Sequence, residues 1–262
     1  MNILVAGASG FIGRHLLKDL AQRGHQATAM VRNAEQQGVF WSPTEGRVDD
    51  AALRNAQPDV VINLAGESVA ERWSQQKKHA IHASRVAATQ LLVRHLLKLE
   101  KKPMLLLCAS AIGFYGERGK EVLTEDSAPG DTFLSRVCIE WEQATQPAAS
   151  AGIRVANLRF GIVLSTTGGA LPRMLIPFQL GAGGQLGTGQ QYMSWITIDD
   201  ALSAIRFIID RTELNGPVNI VAPNPVTNQE FTQILGKTMR VPTLVPVPVA
   251  MARCPCPQEP RS

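Results

Sequence analysis

Three glycines, Gly7, Gly10 and Gly13, interrupt the stretch LVAGASGFIGRH, between an apolar run and apolar residues at helical spacing. In a G-x-x-G-x-x-G pattern each has its own use. The first lets the chain turn sharply out of a strand, the second lets the backbone approach a pyrophosphate, and the third lets helix and strand pack closely. The helix N-terminus then turns unpaired N–H groups and the positive end of its dipole toward phosphate oxygens. A glycine-rich turn with no ligand is the plain alternative. Here, however, the pattern follows a strand and opens an amphipathic helix at the start of a βαβ unit, the context a dinucleotide site requires. The residue ending the second strand selects the cofactor. An acid there accepts from the ribose hydroxyls of NAD, whereas an arginine accommodates the 2′-phosphate of NADP. The strand QATAMV runs into Arg32 with no acid. NADP is therefore the expected cofactor, with a surface arginine as the plain alternative.

The frame that would position these residues is legible as alternating strands and helices. NILVAG reads as a buried strand, and FIGRHLLKDLAQRG as a helix stopped by Gly24. QATAMV and PDVVINLAG are further strands, the latter apolar throughout its centre, as where both sheet faces are covered. One long helix is expected from Ser74 to Leu99, then the strand MLLLCAS, a helix around FLSRVCIEWEQA and the strand IRVANLRF. This predicts an α/β fold, a doubly wound parallel sheet of Rossmann type with a small C-terminal substrate lobe. Residues 1–164 form the dinucleotide-binding domain. Residues 165–250 form the lobe, rich in glycine and proline, with one returning strand–helix unit. Within it Thr227 and Glu230 have capping-box spacing. Residues 251–262, dense in proline, are expected to be an irregular tail.

Composition narrows the classes. The 262 residues carry a net charge of +4, with 45% hydrophobic and 18% charged residues, ordinary for a globular enzyme. There is no basic run to bind nucleic acid, since EKK at 100–102 reads as a solvated helix end. No apolar stretch has the length of a membrane span, and a strand begins at Asn2 where a signal peptide would lie. Cys108, Cys138, Cys254 and Cys256 do not make a disulfide framework in a chain of this length, so a cytoplasmic location is expected. The C-x-C pair near the end lacks further metal ligands, and no metal is expected.

With GASGFIG, NLAGE and SAIGFYG, the chain resembles the extended short-chain dehydrogenase/reductases. It is most similar to the atypical branch labelled "epimerase family protein" and grouped with nucleoside-diphosphate-sugar epimerases. ERW at 71–73, SR at 84–85, TQLL at 89–92, WE at 141–142 and the long GGALPRMLIPFQLGAGGQLGTGQQYMSWITIDD support that branch. The resemblance covers about residues 1–250. It implies that Gly7, Gly10, Phe11, Ile12 and Gly13 surround the pyrophosphate and that Arg32 meets the adenosine phosphate. It places Leu64, Ala65 and Gly66 along the cofactor ribose, and Gly161 to Val163 near the nicotinamide. Arg85 would face the cofactor and pair with a phosphate; a helix-surface salt bridge is its alternative. Related chains continue past VPVPVAMA, so this end is expected to be shortened.

The superfamily's chemistry uses a serine and a tyrosine with a lysine four residues later, the tyrosine exchanging a proton with substrate oxygen. Ser110 stands where the serine belongs. The tyrosine and lysine would fall within 134–138, which read Leu134, Ser135, Arg136, Val137 and Cys138. Tyr115 and Glu67 are the nearest replacements as proton donor or base, with a packed turn residue and a solvated charge as their bland readings. The resemblance thus implies an NADP-binding oxidoreductase or epimerase acting on a small hydroxylated or carbonyl substrate, nucleotide sugars included. A non-enzymatic NADP-binding sensor or interaction module that has lost the tyrosine and lysine is the alternative. A flavin or S-adenosylmethionine protein using a similar glycine loop fits Arg32 less well.

Overall fold

A computed structural model describes residues 1–71 and 73–243. The chain opens with β1 (Asn2–Ala6), α1 (Phe11–Gln22) and β2 (Gln26–Val31). It continues through β3 (Val39–Ser42), β4 (Arg47–Val48), α2 (Asp50–Ala56) and β5 (Val60–Asn63). Next come α3 (Gln75–Ala83), α4 (Val86–Leu96), β6 (Leu105–Ala111) and a short 3-10 turn (Ile112–Tyr115). Then follow α5 (Phe133–Gln143), α6 (Gln146–Ser150), β7 (Arg154–Phe160) and β8 (Ile162–Leu164). The last elements are α7 (Leu171–Gln179), β9 (Tyr192–Met193), β10 (Trp195–Thr197), α8 (Ile198–Asp210), β11 (Gly216–Ile220), β12 (Val226–Thr227) and α9 (Asn228–Met239).

Eight strands form one sheet in the order β11-β7-β6-β5-β1-β2-β3-β4, parallel except for β4. Strand order reverses at β1, between β2 on one side and β5 on the other. That is the switch point at which open α/β sheets bind ligands beyond their carboxyl ends. Alternate residues of the strands feed two cores. Ile3, Val5, Leu105 and Leu107 pack with Leu16 and Leu20 of α1 and with Ile198, Leu202 and Ile205 of α8. Leu4, Val61 and Leu106 pack with Leu91, Leu92 and Leu96 of α4 on the other face. Covered on both faces, these strands have no polar side, which is why they read as unbroken apolar runs.

Two differences from the sequence expectation have physical causes. The long helix expected from Ser74 to Leu99 is two helices. At the junction the Ser84 hydroxyl donates to the Ile81 carbonyl and accepts the Glu67 N–H, at 3.1 and 2.9 Å, and Arg85 serves as the cap of α4. Helical periodicity continues across the break and hides it. The segment from β3 to α2 also has no long period. β3 pairs with β2 through only two residues, while α2 starts from Asp49, whose carboxylate accepts the N–H groups of Ala51 and Ala52.

The lobe is built from two stretches. β8 pairs with β10, and β9 pairs with β12, whose Thr227 forms the expected capping box with Glu230. Between them α8 and β11 return to the main sheet, β11 beside β7. The expected tail, with Cys254 and Cys256, lies outside the described residues. No helix among the described residues is long and apolar enough to cross a membrane, and no group of side chains there could hold a metal ion.

The close approach of α1 to β1 is testable. A β-carbon on Gly13 would lie 2.3 Å from the Gly7 carbonyl oxygen and 2.8 Å from the Ala8 Cα. Both are backbone atoms, so the helix itself must move. Over-packing of this kind costs about 1–3 kcal/mol, and each kcal/mol lowers Tm by about 2–4 °C in a chain of this size. Gly13→Ala should therefore lower Tm by about 2–12 °C in a thermal melt. A change below about 1 °C would show that loop and helix separate freely.

Candidate dinucleotide and catalytic site

The loop after β1 is held by close backbone contacts and by the Arg14 guanidinium, which donates to the Ser9 carbonyl at 2.9 Å. Gly7, at φ +76°, sits so close to the turn after β5 that a side chain would meet the Leu64 carbonyl at 2.6 Å and the Ala65 nitrogen at 2.7 Å. The Leu64 N–H donates to the Ala6 carbonyl at 2.9 Å, and the Gly10 N–H to the Gly7 carbonyl at 2.9 Å. The Asn63 side chain accepts the Ala65 N–H at 3.2 Å and so shapes the same turn. Gly10 is the N-cap of α1, with no side chain to cap it and no acid in the first turn. The first N–H groups of α1 and its positive dipole end are thus left to an outside acceptor. A diphosphate fits that donor set by charge and by the absence of side chains at Gly7, Gly10 and Gly13.

Cations stand at two points nearby. Arg32 follows β2 and is exposed, with no hydrogen bond or ion pair among the described residues, though it lies within the field of Glu67. Arg85 is half-buried. Its guanidinium lies directly on Gly66, where a β-carbon would be 3.3 Å away, and 5.2 Å from the Trp141 ring. Its described hydrogen bonds go to the Ile81 carbonyl and the Ser84 hydroxyl, at 3.2 and 3.4 Å. Burial pulls its pKa down, and no carboxylate is paired with it among the described residues. A helix-surface salt bridge therefore does not describe Arg85. Ile12 is half-buried against the core below the loop, and Val163, in β8, packs on the same core. Phe11 is half-buried beside Gly168 and Gly169.

Glu67 forms an ion pair with Lys77 at 2.8 Å, and that bond holds its carboxyl below the usual range. Lys77 also reaches Glu71 at 2.9 Å. Glu67 is thus an ionised, partly exposed carboxylate, poorly disposed as a proton donor.

Ser110, Arg159 and Asn219 are lateral neighbours on β6, β7 and β11. Arg159 is 3% exposed. It grips both carboxylate oxygens of Glu142 on α5, Nε and Nη2 each at 2.8 Å, with its guanidinium carbon 3.5 Å from the centre of the Phe114 ring. The Ser110 hydroxyl donates to the same Glu142 at 2.7 Å. Tyr115 donates to Asn219 at 2.7 Å and accepts from Arg159 at 2.9 Å. Ser110 and Tyr115 are thus brought into one network, but differently. Tyr115 has its hydroxyl engaged on both sides within the fold, the geometry of the packed turn residue. Ser110, itself 3% exposed, has its proton committed to Glu142 and lies beside the Cys138 thiol.

On α5 the expected tyrosine and lysine positions face inward. Leu134 packs on Gly113, 3.4 Å from its β-position, and Cys138 is buried, its thiol pushed up to about 11 by burial. Cys108 is held in the same way, at about 12, next to the chain of Asn63, Thr89 and Trp141. Glu142, Arg159 and Asn219 were not among the sequence candidates. An arginine inside the apolar strand IRVANLRF is the signal that could have found them, because a buried guanidinium needs a carboxylate.

The sequence profile of the NAD dependent epimerase/dehydratase family matches residues 3–221. Epimerase family protein Mb2239 of Mycobacterium bovis is 39% identical over 254 residues, covering 96% of this chain and 83% of that protein. Epimerase family protein YfhF of Bacillus subtilis is 39% identical over 254 residues, covering 95% and 83%. The crystal structure of human epimerase family protein SDR39U1 (isoform 2) with NADPH superimposes with a TM-score of 0.83 at 31% identity, over 95% of this chain and 84% of that one. A profile match over most of the chain, with relatives this similar over nearly its whole length, leads to one conclusion: the chain belongs to the NAD dependent epimerase/dehydratase family.

Proposed function

We propose that the protein is an NADP-binding oxidoreductase or epimerase acting on a small hydroxylated or carbonyl substrate, nucleotide sugars included. The observation that carries the reading is the uncapped start of α1, opened by glycines that a side chain would block and followed by Arg32 in place of an acid. The NADPH of the human relative supports it. Gly7, Gly10, Phe11, Ile12 and Gly13 would hold the diphosphate, Arg32 the 2′-phosphate, and Leu64, Ala65, Gly66 and Arg85 the ribose and phosphates beyond. Val163 would border the nicotinamide. The cofactor supplies hydride chemistry when bound. The chain's own contribution is Ser110, which accepts a hydrogen bond from a substrate hydroxyl while Glu142 holds the serine proton.

A second reading, a non-enzymatic NADP-binding sensor or interaction module, rests on a specific observation. The positions for tyrosine and lysine carry a half-buried Leu134 and a buried Cys138, and Tyr115 is bound within the fold. Tight NADPH binding with no turnover across a panel of nucleotide sugars and small ketones would favour it.

Four outcomes are expected. NADPH binds about ten- to a few hundredfold more tightly than NADH, since a guanidinium–phosphate hydrogen bond contributes about 1.5–3 kcal/mol and tenfold corresponds to about 1.4 kcal/mol. Arg32→Asp erases or reverses that preference in calorimetric titrations of both cofactors. Equal wild-type affinities would remove Arg32 from the site. Arg85→Ala weakens NADPH by about tenfold or more, and Arg85→Lys by less, because lysine keeps the charge without the fork. An Arg85→Ala protein with wild-type affinity would make Arg85 a packing residue. Ser110→Ala abolishes turnover of a substrate found in such a panel while NADPH affinity changes less than about twofold; surviving turnover would reduce Ser110 to a strand-end residue.

A further inference from the structure

One segment of the lobe reaches the glycine loop. Residues 165–170, between β8 and α7, lie against Phe11, the first residue of α1 after its cap. A β-carbon on Gly168 would lie 2.7 Å from Cδ2 of the Phe11 ring, and one on Gly169 would lie 3.1 Å from Cε1 at the opposite edge. The ring is thus seated on two successive residues without side chains. Gly169, at φ +76°, is also a position where only glycine is unstrained. Gly168 lies outside the left-handed region, so the Phe11 ring is what crowds a side chain there.

A polar contact accompanies the ring. The Thr167 hydroxyl and His15 Nε2 are 3.2 Å apart, and the Ser165 hydroxyl accepts the Thr167 N–H at 3.2 Å. His15 Nδ1 in turn lies 2.9 Å from the Phe11 carbonyl, with the two rings edge to face at 4.9 Å. Phe11 and His15 are one helical turn apart on α1. The lobe segment therefore grips the first turn of the very helix whose N–H groups face the diphosphate position. Both contacts are partly exposed and few, as befits a segment that opens during ligand exchange.

We propose that residues 165–170 form a clasp over the diphosphate site, closed by Phe11 on Gly168 and Gly169 and by Thr167 on His15. The inference rests on the dinucleotide reading above. The clasp sets the lifetime of the bound dinucleotide, which leaves only when the segment lifts from α1. It also ties cofactor residence to the lobe, because the segment runs directly into α7.

The test is stopped-flow binding and displacement of NADPH, followed by nicotinamide fluorescence, on the full chain. Adenosine 2′,5′-bisphosphate, which lacks the diphosphate bridge and the nicotinamide half, serves as the second probe. Gly168→Ala should raise the NADPH dissociation rate about tenfold or more and leave bisphosphate affinity within about twofold. Thr167→Val removes one hydrogen bond without adding bulk, and should raise the rate about threefold even if Gly168→Ala fails to fold. Wild-type dissociation rates in Gly168→Ala and in Thr167→Val overturn the clasp, as does a parallel loss of bisphosphate affinity. Wild-type protein that binds no NADPH overturns the cofactor reading itself, a result the unmodified chain gives before any variant is made.

Discussion

The site depends on a place where backbone meets backbone with nothing between. Gly7 lies against the carbonyl of Leu64, and Gly13 against the carbonyl of Gly7, at distances no β-carbon tolerates. That crossing brings β1, the turn after β5 and the start of α1 to one point at the sheet's switch. Two consequences follow from the same contact. The uncapped N–H groups of α1 face outward beyond the strand ends. The turn from Leu64 to Gly66 is held beside them, and Gly66 carries the Arg85 guanidinium. The apolar strands beneath, closed by α1 and α8 on one face and α4 on the other, keep the crossing from relaxing. A side chain at either glycine would separate elements that the rest of the chain is built to join.

A second fixed point lies three strands away. Burying a charge pair is expensive, and the attraction offsets that cost only with good geometry and further hydrogen bonds. Arg159 and Glu142 meet both conditions, with two parallel contacts and with Ser110, Tyr115 and the Glu125 carbonyl completing the set. The pair bridges β7 to α5. That helix turns Cys138 into the core and Glu142 toward Ser110, and so ties the end of β6 to the neighbouring strand through one carboxylate.

Much of this was legible in the residues. The glycine spacing, the apolar strands and the arginine after β2 each answer to a short-range rule, so their places could be read directly. The capping box at Thr227 and Glu230 is local in the same sense. What could not be read is what depends on distant partners. β3 is four residues long and exists by pairing with β2 and β4. The break between α3 and α4 depends on the Glu67 N–H, seventeen positions from the serine that accepts it. Tyr115 could be weighed as an acid or as a packed residue, but only Asn219, far along the chain on the edge strand, shows where its proton points. The buried Arg159 was visible as a charge in an apolar strand, yet its partner could not be named without the sheet and α5 in place.

The lobe's two-part construction has a consequence for how the molecule comes together. β9 finds its partner β12 only after α8 and β11 have been laid down between them. During synthesis the first half of the lobe, with β8, α7 and β9, emerges while the sheet still lacks its outer strand. Met193 of β9, buried in the finished fold beside Val226 and Asn228, must wait for the chain to pass through the sheet and return. Completion of the lobe is therefore a late, long-range event, of the kind that slows assembly and leaves apolar surface open in the interval. The order of the chain makes the sheet the template on which the lobe is finished, and the lobe cannot be cut out as one continuous piece.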